Sequence, residues 1–371
     1  MVEIATEVRW QESHFSLPME RILLSERLGF DAVFTAEGFG SDALTPLGYL
    51  ACATKRLKLG TRIIEVTGRP PALTAMSLLT LDHMSGGGRI IAGLGTAAPQ
   101  AREGLQGMPW GKPVRRMRDF VTILRQGLRG EAIDHAGQEW QAPYRGPGAM
   151  GVAPSPLGIR PGSEIPVCIA AGGPQVTALA AEIGDGLMPP GFALGLRDHF
   201  AKMLQPGFDK AGNGKSMDGF KLIAHVDMLV DDDVKAAMRP FKEYVVTWSQ
   251  MQRGIMEARG YKDLAERLAE LIAQDPGASS PEERLHAGQN FLVDPLWEEA
   301  IAAVPDEYID DAWLVGPVAR IEERARLWRD SGLTCMIVRY GDQLSHEPIV
   351  ENLDAFAAVA RAFDKAPLGA N

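Results

Sequence analysis

The residues best suited to chemistry stand at the ends of short apolar runs in the first hundred residues. One run ends in Glu37, which is followed by Gly-Phe-Gly-Ser-Asp42, so a carboxylate occupies the last position of a predicted buried strand. An ionised carboxylate is costly to bury without a partner, and Glu37 is therefore a poor choice for a core position. The glycines after it would let a flat ligand approach the backbone. The pattern favours a functional carboxylate over the alternative, a solvated loop after a strand.

A second run, residues 57–65, carries Arg62 inside an otherwise apolar stretch. Two interpretations remain open for this residue. Arg62 could pair with Glu37 or Glu65 as a structural ion pair, or the backbone around it could lie against the face of a ring-shaped cofactor.

Two glycine-rich segments, each at the end of an apolar run, follow further along the chain. Gly93-Leu-Gly-Thr96 ends a third apolar run, and such a glycine pair often does no more than close a turn. Ala170-Ala-Gly-Gly-Pro-Gln175 places proline in the first turn of a predicted helix, which leaves backbone N–H groups available to a phosphate. A tight turn with ordinary proline capping is the alternative. The chain has neither a Gly-x-Gly-x-x-Gly motif after a strand nor a complete Gly-x-x-x-x-Gly-Lys-Ser/Thr motif, so a Rossmann site and a P-loop are not supported.

Other kinds of chemistry are disfavoured by residue type and spacing. The seven histidines show no metal-ligand spacing, so no metal is expected, and the serines lack a Gly-x-Ser-x-Gly elbow, which weakens a hydrolase interpretation. Cys52, Cys168 and Cys335 lie in apolar stretches at wide spacing. This pattern predicts buried thiols in a reducing compartment, not a disulfide framework.

Charge and hydropathy limit the kinds of partner that the protein is expected to bind. The formal net charge is -10 and there is no lysine or arginine run, which argues against nucleic acid and against an anionic membrane surface. The N-terminus lacks a secretory pattern, and no apolar stretch reaches the roughly 20 residues that span a bilayer. We therefore expect a cytoplasmic protein with a small-molecule substrate.

Eight predicted strands alternate with amphipathic helices. This arrangement would bring the polar and glycine-rich strand ends described above close together. The strands cover residues 2–8, 31–36, 57–64, 89–94, 166–171, 186–188, 222–230 and 334–339. The predicted helices include residues 174–183, a long helical region at 233–259 and a closing helix at 348–363, and residues 275–281 are a predicted loop. Eight βα units predict an α/β fold, a (β/α)8 TIM barrel, in which chemistry lies at the carboxyl ends of the strands. We expect one domain over residues 1–371 with two insertions. The first, at about 130–163, would cross the barrel mouth, and the second, at about 260–306, would be mostly helical.

Several motifs in this order resemble the luciferase-like flavin and deazaflavin oxidoreductases, and within them the group that uses coenzyme F420. The resemblance rests on residues 28–37, 40–46, 80–89, 171–175, 180–186, 304–307 and 314–317. It implies a TIM-like barrel with insertions, usually dimeric, that holds a planar ring at the carboxyl ends of its strands. It also implies a bulge at strand three with a non-proline cis peptide, which would fall at Arg62-Ile63.

The resemblance also implies roles for particular residues. Those near Glu37 would approach the ring or substrate, Gly95 and Thr96 the ring or its side chain, and residues 172–176 the phosphate. The expected cofactor-binding set is Gly38, Ser41, Asp42, Arg62, Ile63, Gly95, Thr96, Gln100, Gly172, Gly173, Pro174, Gln175 and Val176.

Strand two indicates which cofactor to expect. Flavin monooxygenases of this family commonly carry a histidine pair after the glutamate, whereas Gly38 and Phe39 stand there in this chain. The resemblance therefore implies F420 and hydride exchange with an organic substrate, with Glu37 as the first candidate for handling the proton and Glu7 as the second. Two alternatives remain: an FMN-dependent monooxygenase, and a non-catalytic protein that binds F420 or flavin.

The chain also departs from the deazaflavin pattern. Proton donors that some F420 enzymes carry are replaced by Gly38 and Ala98. Residues 247–252 lack the expected glycine-rich pattern, and residues 275–297 form a longer stretch than usual. Both changes fall where substrate would be enclosed, so the substrate is left open.

Overall fold

Eight parallel strands close into a barrel in the computed structural model, which describes residues 2–8, 15–274, 295–340 and 352–367. The strands are β1 (Glu3–Val8), β2 (Ala32–Thr35), β3 (Lys58–Thr61), β4 (Ile90–Gly95), β5 (Val167–Ala170), β6 (Gly186–Met188), β7 (Lys221–Leu229) and β8 (Cys335–Tyr340). Each strand pairs with the next, and β8 pairs with β1, with Glu3 opposite Cys335. The predicted (β/α)8 barrel is confirmed.

Helices surround the barrel and largely follow the predicted order. They are α1 (Met19–Arg27), α2 (Leu44–Ala53), α3 (Pro71–Met84), α4 (Pro113–Leu128), α5 (Pro174–Ile183), α6 (Arg197–Ala211), α7 (Val234–Trp248), α8 (Arg253–Ala258), α9 (Lys262–Gln274), α10 (Pro295–Ala303), α11 (Asp306–Asp310), α12 (Val318–Leu327) and α13 (Leu353–Ala362). Proline opens α3, α4 and α5, where its missing N–H costs no helical hydrogen bond. The Asp233 side chain caps α7 by accepting from two backbone N–H groups.

The boundaries differ clearly from the sequence prediction in two places. Strand three ends at Thr61, and a separate short strand, Ile64–Glu65, follows it. The helical region predicted over 233–259 is divided between α7 and α8. In the second insertion the structure describes α9 and α10, while residues 275–294, with the loop predicted at 275–281, and the predicted helix start at 348–351 lie outside the described residues.

The barrel interior is filled by a small apolar cluster separate from the larger core between strands and helices. Its buried members are Ala5, Ala32, Phe34, Ile91, Cys168, Met188, Ile223, Cys335 and Ile337. Phe34 approaches β3 so closely that a Cβ at Gly60 would stand 2.2 Å from its ring. Large and small residues thus alternate across the interior, which is packed solid below the strand ends.

The prediction of three buried thiols is wrong for one cysteine. Cys168 and Cys335 are buried, but Cys52 is exposed on α2. The outer side of this helix is apolar as well as its inner side, since Tyr49 is also exposed there. The apolar sequence around Cys52 was therefore not enough to predict that this residue is buried.

The prediction that residues 130–163 cross the barrel mouth is also wrong in its placement. This segment packs along α3 and α4, and the buried Asp119 of α4 organises it. Asp119 accepts hydrogen bonds from the backbone N–H groups of Glu139 and Trp140 and lies 2.9 Å from His135 Nε2. Further along, the His83 ring lies 2.9 Å from the Arg160 carbonyl oxygen.

Among the helices that the structure describes, none combines the length and the apolar character needed to cross a membrane.

Candidate active site

A pocket of about 410 Å³ opens at the carboxyl ends of β3 to β6, and we call it the strand-end pocket. It is lined by Arg62, Ile63, Gly95, Thr96, Ala97, Ala170, Ala171, Gly172, Gly173, Val176, Met188, Pro189 and Pro190. Many of the residues expected to bind a cofactor are thus brought together on one concave surface. Much of that surface is backbone or small side chains.

One wall of the strand-end pocket is a bulge after β3. The peptide bond between Arg62 and Ile63 is cis, as the resemblance implied. Glu37 N donates to the Ile63 carbonyl oxygen at 3.1 Å, which ties the bulge to the end of β2. A Cβ at Gly95 would stand 2.5 Å from Ile63 Cδ1, so glycine is required there for the Ile63 side chain to lie across the end of β4.

The opposite wall is the start of α5. Gly172, Gly173 and Val176 line the pocket, and the Gly173 backbone is extended where the helix begins. Thr177 N donates to the Gly173 carbonyl oxygen at 3.0 Å. The N–H groups of Gln175 and Val176, in the first turn of α5, have no acceptor among the described residues. A helix start with such donors suits an anion, so the predicted phosphate site has the right local chemistry.

Glu37 lies at the end of β2, behind the bulge, and is half-buried. Its Oε2 accepts from Glu65 N at 3.2 Å. Burial raises the pKa of Glu37 from 4.5 to about 7, and the carboxylates of Glu65 and Asp42 act in the same direction, against the opposing Arg69. Burial also raises the pKa of Glu65, whose Oε2 accepts from Gln106 Nε2 at 3.1 Å. A carboxyl with a pKa near neutrality can both hold and release a proton.

The remaining predicted residues near Glu37 make turn contacts. Gly38 N donates to the Ser41 carbonyl oxygen at 3.3 Å, and Ser41 Oγ donates to the Ala36 carbonyl oxygen at 3.3 Å. Asp42 Oδ1 accepts from the backbone N–H groups that begin α2. These three residues do not line the strand-end pocket, and neither does Pro174 or Gln175.

Gln100 is likewise absent from the lining, and begins a π-helical turn, Gln100–Leu105. The π-helical turn leads to Gln106, whose side chain contacts Glu65.

Charged side chains from β1, β7, β8 and the bulge after β3 meet next to the pocket, which Arg62 helps to line. Glu7, at the end of β1, is 2% exposed, and its Oε2 lies 3.2 Å from Arg62 Nη1 and 3.7 Å from Arg339 Nη1. Arg339 also pairs with Asp227 of β7, and Arg62 Nη2 contacts His225 Nδ1. We call these five residues the buried charge network. Arg62 therefore does pair with a carboxylate, but its partner is Glu7 and not the predicted Glu37 or Glu65.

The model of the luciferase-like monooxygenase family matches residues 11–335. The chain belongs to this family. Among the described residues of this luciferase-like protein, no group of three or more histidine, cysteine or acidic side chains is placed to hold a metal ion.

Several similar proteins and solved structures are named as dependent on coenzyme F420. The chain is 34% identical over 333 residues to a candidate coenzyme F420-dependent oxidoreductase of Mycobacterium tuberculosis, covering 87% of this chain and 90% of that protein. It is 28% identical to the 5,10-methylenetetrahydromethanopterin reductase of Archaeoglobus fulgidus, with 91% of each chain covered. The fold matches the coenzyme F420-dependent tetrahydromethanopterin reductase from Methanopyrus kandleri with a TM-score of 0.71 at 20% identity, over 97% of this chain and 98% of that one.

A second, smaller pocket in this luciferase-like barrel was not anticipated from the sequence. It has a volume of about 40 Å³ and lies between β7 and the residues that directly precede and follow the second insertion, and we call it the insertion-side pocket. It is lined by Pro190, Gly191, Phe192, Ala193, His225, Asp227, Tyr244, Gln252, Ile255, Arg259, Tyr308, Ala312 and Trp313. Pro190 lines both pockets, so they adjoin. No short motif in the sequence marks His225, Asp227 or Arg339.

Proposed function

We propose that this protein is an F420-dependent oxidoreductase that moves a hydride between the deazaflavin and a small organic substrate. The observation that carries the proposal is the strand-end pocket, which joins a backbone wall at Ile63 to open helix N–H groups at α5. A flat ring needs the first feature and a phosphate the second. The F420-dependent relatives along nearly the whole chain support the same cofactor.

The pocket residues fit such a cofactor in shape as well as in chemistry. A Cβ at Gly173 would meet no protein atom within 4 Å, so the space before this residue belongs to the pocket. Ile63, Gly95 and Thr96 would support the ring, and Gly172 to Val176 would hold the phosphate. F420 supplies a hydride-exchanging carbon, C5. The protein supplies orientation of two flat partners, which can contribute several kcal/mol of barrier reduction.

Glu37 is our candidate for the proton that accompanies the hydride. Its pKa of about 7 means that both protonation states are populated near neutral pH. Glu7 is less suited to release and take up a proton, because the guanidinium groups of Arg62 and Arg339 hold its carboxylate. We propose instead that Glu7 fixes Arg62 at the edge of the pocket.

Titration of the purified protein with F420 and with FMN at equal salt tests the cofactor assignment. We expect F420 to bind more tightly, and substrate-dependent loss of the reduced cofactor to be visible in its absorbance. The Glu37→Gln variant should slow this reaction about 100-fold without a matching loss of F420 affinity. The exposed Glu131→Gln variant serves as the control.

Each competing function predicts a different result in the same experiment. Tighter binding of FMN with oxygen consumption would favour a monooxygenase. F420 binding without hydride exchange over a broad substrate panel, unchanged by Glu37→Gln, would favour a non-catalytic binding protein.

We also propose a homodimer, as the family resemblance implies. The support is an apolar outer surface on α2 and α3, where Tyr49, Leu73 and Met76 are exposed. A molar mass of two chains by light scattering is the expected result, and a mass of one chain at micromolar concentration would contradict it.

A further inference from the structure

A second carboxyl, Glu65, lies next to Glu37. Glu65 belongs to the short strand Ile64–Glu65 that follows the bulge, and it is 9% exposed. Its backbone N–H donates to Glu37 Oε2 at 3.2 Å, which fixes the two residues relative to each other. Glu65 does not line the strand-end pocket, so contact with a ligand there does not explain a buried acid at this position.

The carboxyls around this pair outnumber the cations that act on it. Arg69 is the cation that opposes the charge of Glu37, whereas Glu65 and Asp42 add negative charge beside it. Asp42 is exposed and accepts from the N–H groups that begin α2. Because like charges that lie close together are costly to keep ionised, a proton is favoured on Glu37 or on Glu65.

Other charged groups on the neighbouring elements are engaged elsewhere. Arg62 of the bulge belongs to the buried charge network. In the π-helical turn, Arg102 donates to two backbone carbonyl oxygens, and the exposed Glu103 accepts from a backbone N–H group. None of these three forms a printed-sequence neighbour's ion pair with Glu37 or Glu65 within the described ranges, so an uncharged side chain decides which of the two carboxyls holds the proton.

That side chain is Gln106, which stabilises the charged form of Glu65. Its Nε2 donates to Glu65 Oε2 at 3.1 Å. An ionised carboxylate accepts hydrogen bonds and donates none, so the N–H end of the amide has to face it. The other end, Gln106 Oε1, is buried and has no hydrogen-bond partner among the described residues. The amide thus leaves an acceptor unsatisfied in order to donate to Glu65, and a donor in this place favours an ionised acceptor.

The backbone on either side keeps this amide in place. A Cβ at Gly68 would stand 2.9 Å from Gln106 Nε2, so a larger residue there would displace the amide. Arg102 ties the turn that leads to Gln106 to the Thr67 carbonyl oxygen. The contact between Gln106 and Glu65 is therefore a fixed part of the fold.

The electrostatic effects agree with this geometry. Burial raises the pKa of both carboxyls, and that of Glu37 reaches about 7. The hydrogen bond from Gln106 lowers the pKa of Glu65, and the charge of Glu65 raises the pKa of Glu37. Both effects favour a proton on Glu37 and a charge on Glu65 near neutral pH.

We propose that Glu65 and Gln106 are positioning residues for the proton on Glu37: Gln106 keeps Glu65 ionised, and the charge on Glu65 keeps Glu37 protonated near neutral pH. The proposal rests on the proposed function for the use of that proton. Neither residue is assigned a contact with substrate or cofactor, and both act through Glu37.

Titration of the Glu37 carboxyl by 13C NMR tests the proposal without cofactor. The full chain is labelled at the glutamate side-chain carboxyl carbon, and the Glu37 resonance is the one that Glu37→Gln removes. Glu65→Gln should lower the Glu37 midpoint by about half a pH unit or more, because the charge is lost while the backbone N–H donor stays. Gln106→Met should shift the midpoint in the same direction, because Glu65 then takes up the proton more readily.

The double variant and a matched control separate this role from a structural one. Because Gln106 acts through the charge on Glu65, the combined Glu65→Gln and Gln106→Met variant should titrate like Glu65→Gln alone. Gln205→Met is the control, since Gln205 Nε2 also donates to a carboxylate, Asp209 Oδ1, at 2.7 Å, but on α6. It should leave the Glu37 midpoint unchanged.

An unchanged Glu37 midpoint in Glu65→Gln or in Gln106→Met overturns the proposal, and so does a further shift in the double variant. Each single variant is a separate test, so one decides the matter even if the other fails to fold. Failure of the proposed function has a different signature: the midpoints shift as expected, while the protein shows no F420 binding or hydride exchange.

Discussion

The two sides of the barrel mouth are built in different ways. On the side of β3 to β6, the strand-end pocket is formed by backbone, glycines and small side chains. On the side of β7 and β8, the insertion-side pocket and the buried charge network are formed by long side chains from distant parts of the chain. Arg62 and His225, for example, are 163 residues apart in sequence.

This difference matches two separate demands on the site. A cofactor shared across a family can be held by backbone groups, whose positions depend on local turn sequence. A substrate that differs between family members requires side chains that can change without altering the barrel. We infer that the first side fixes the cofactor and that the second side sets what reacts with it.

Arg62 lines the strand-end pocket and is also part of the buried charge network. Its removal should therefore have the largest effect on the stability of the protein. Arg62→Ala takes a charged partner from Glu7, which is 2% exposed. Leaving a buried charge less well compensated typically costs about 3–5 kcal/mol, so we expect a loss of that order in the free energy of unfolding. Urea denaturation of the protein without added cofactor measures it.

The matched control is an exposed ion pair. Arg145 pairs with Asp134, and their side chains are 40% and 52% exposed. Arg145→Ala should change the free energy of unfolding by less than about 1 kcal/mol. Equal effects of the two substitutions would show that Arg62 in the buried charge network adds no more stability than an exposed ion pair does.

The strand-end side could be predicted from sequence because its signals are local. Proline after two glycines fixed the start of α5, and the observed helix has the predicted bounds, Pro174–Ile183. The bulge at Arg62-Ile63 came from the family resemblance and not from the residues alone. Asp42 shows the limit of motif reasoning, since its observed contacts are those of a helix cap.

The other side could not be predicted because its contacts depend on how distant elements pack. Arg259 lies on Tyr308 only because the insertion folds back on the barrel, and nothing in the residues around either position signals that contact. The predicted position of the first insertion, residues 130–163, was wrong for the same reason. Its actual position depends on contacts with Asp119 of α4, which lies in no recognisable motif.

Gly173→Leu tests the backbone-built side with a smaller expected effect. A side chain here meets no protein atom within 4 Å at Cβ, and the backbone is extended, so the fold should tolerate the change. The leucine would occupy the space that we assign to the cofactor, and F420 affinity should fall at least tenfold, about 1.4 kcal/mol. Gly158→Leu, also with open space at Cβ but outside both pockets, should bind F420 normally. If both variants bind F420 equally well, the cofactor does not bind against the start of α5.

The smallest predicted effect concerns Glu37 and the pH dependence of stability. Its pKa is about 7 in the folded protein and 4.5 ordinarily, so the folded state binds more protons than the unfolded state between these values. The contribution of Glu37 to stability is therefore lost as pH rises from about 4.5 to about 7 and stays lost above. Glu37→Gln removes the ionisable group, and it should be more stable than the wild type at pH 8 by about 1 kcal/mol, after allowance for partial exposure. The difference should shrink toward pH 5. Thermal or urea unfolding of both proteins across this range measures it, and a difference that does not vary with pH would mean that burial does not perturb this carboxyl.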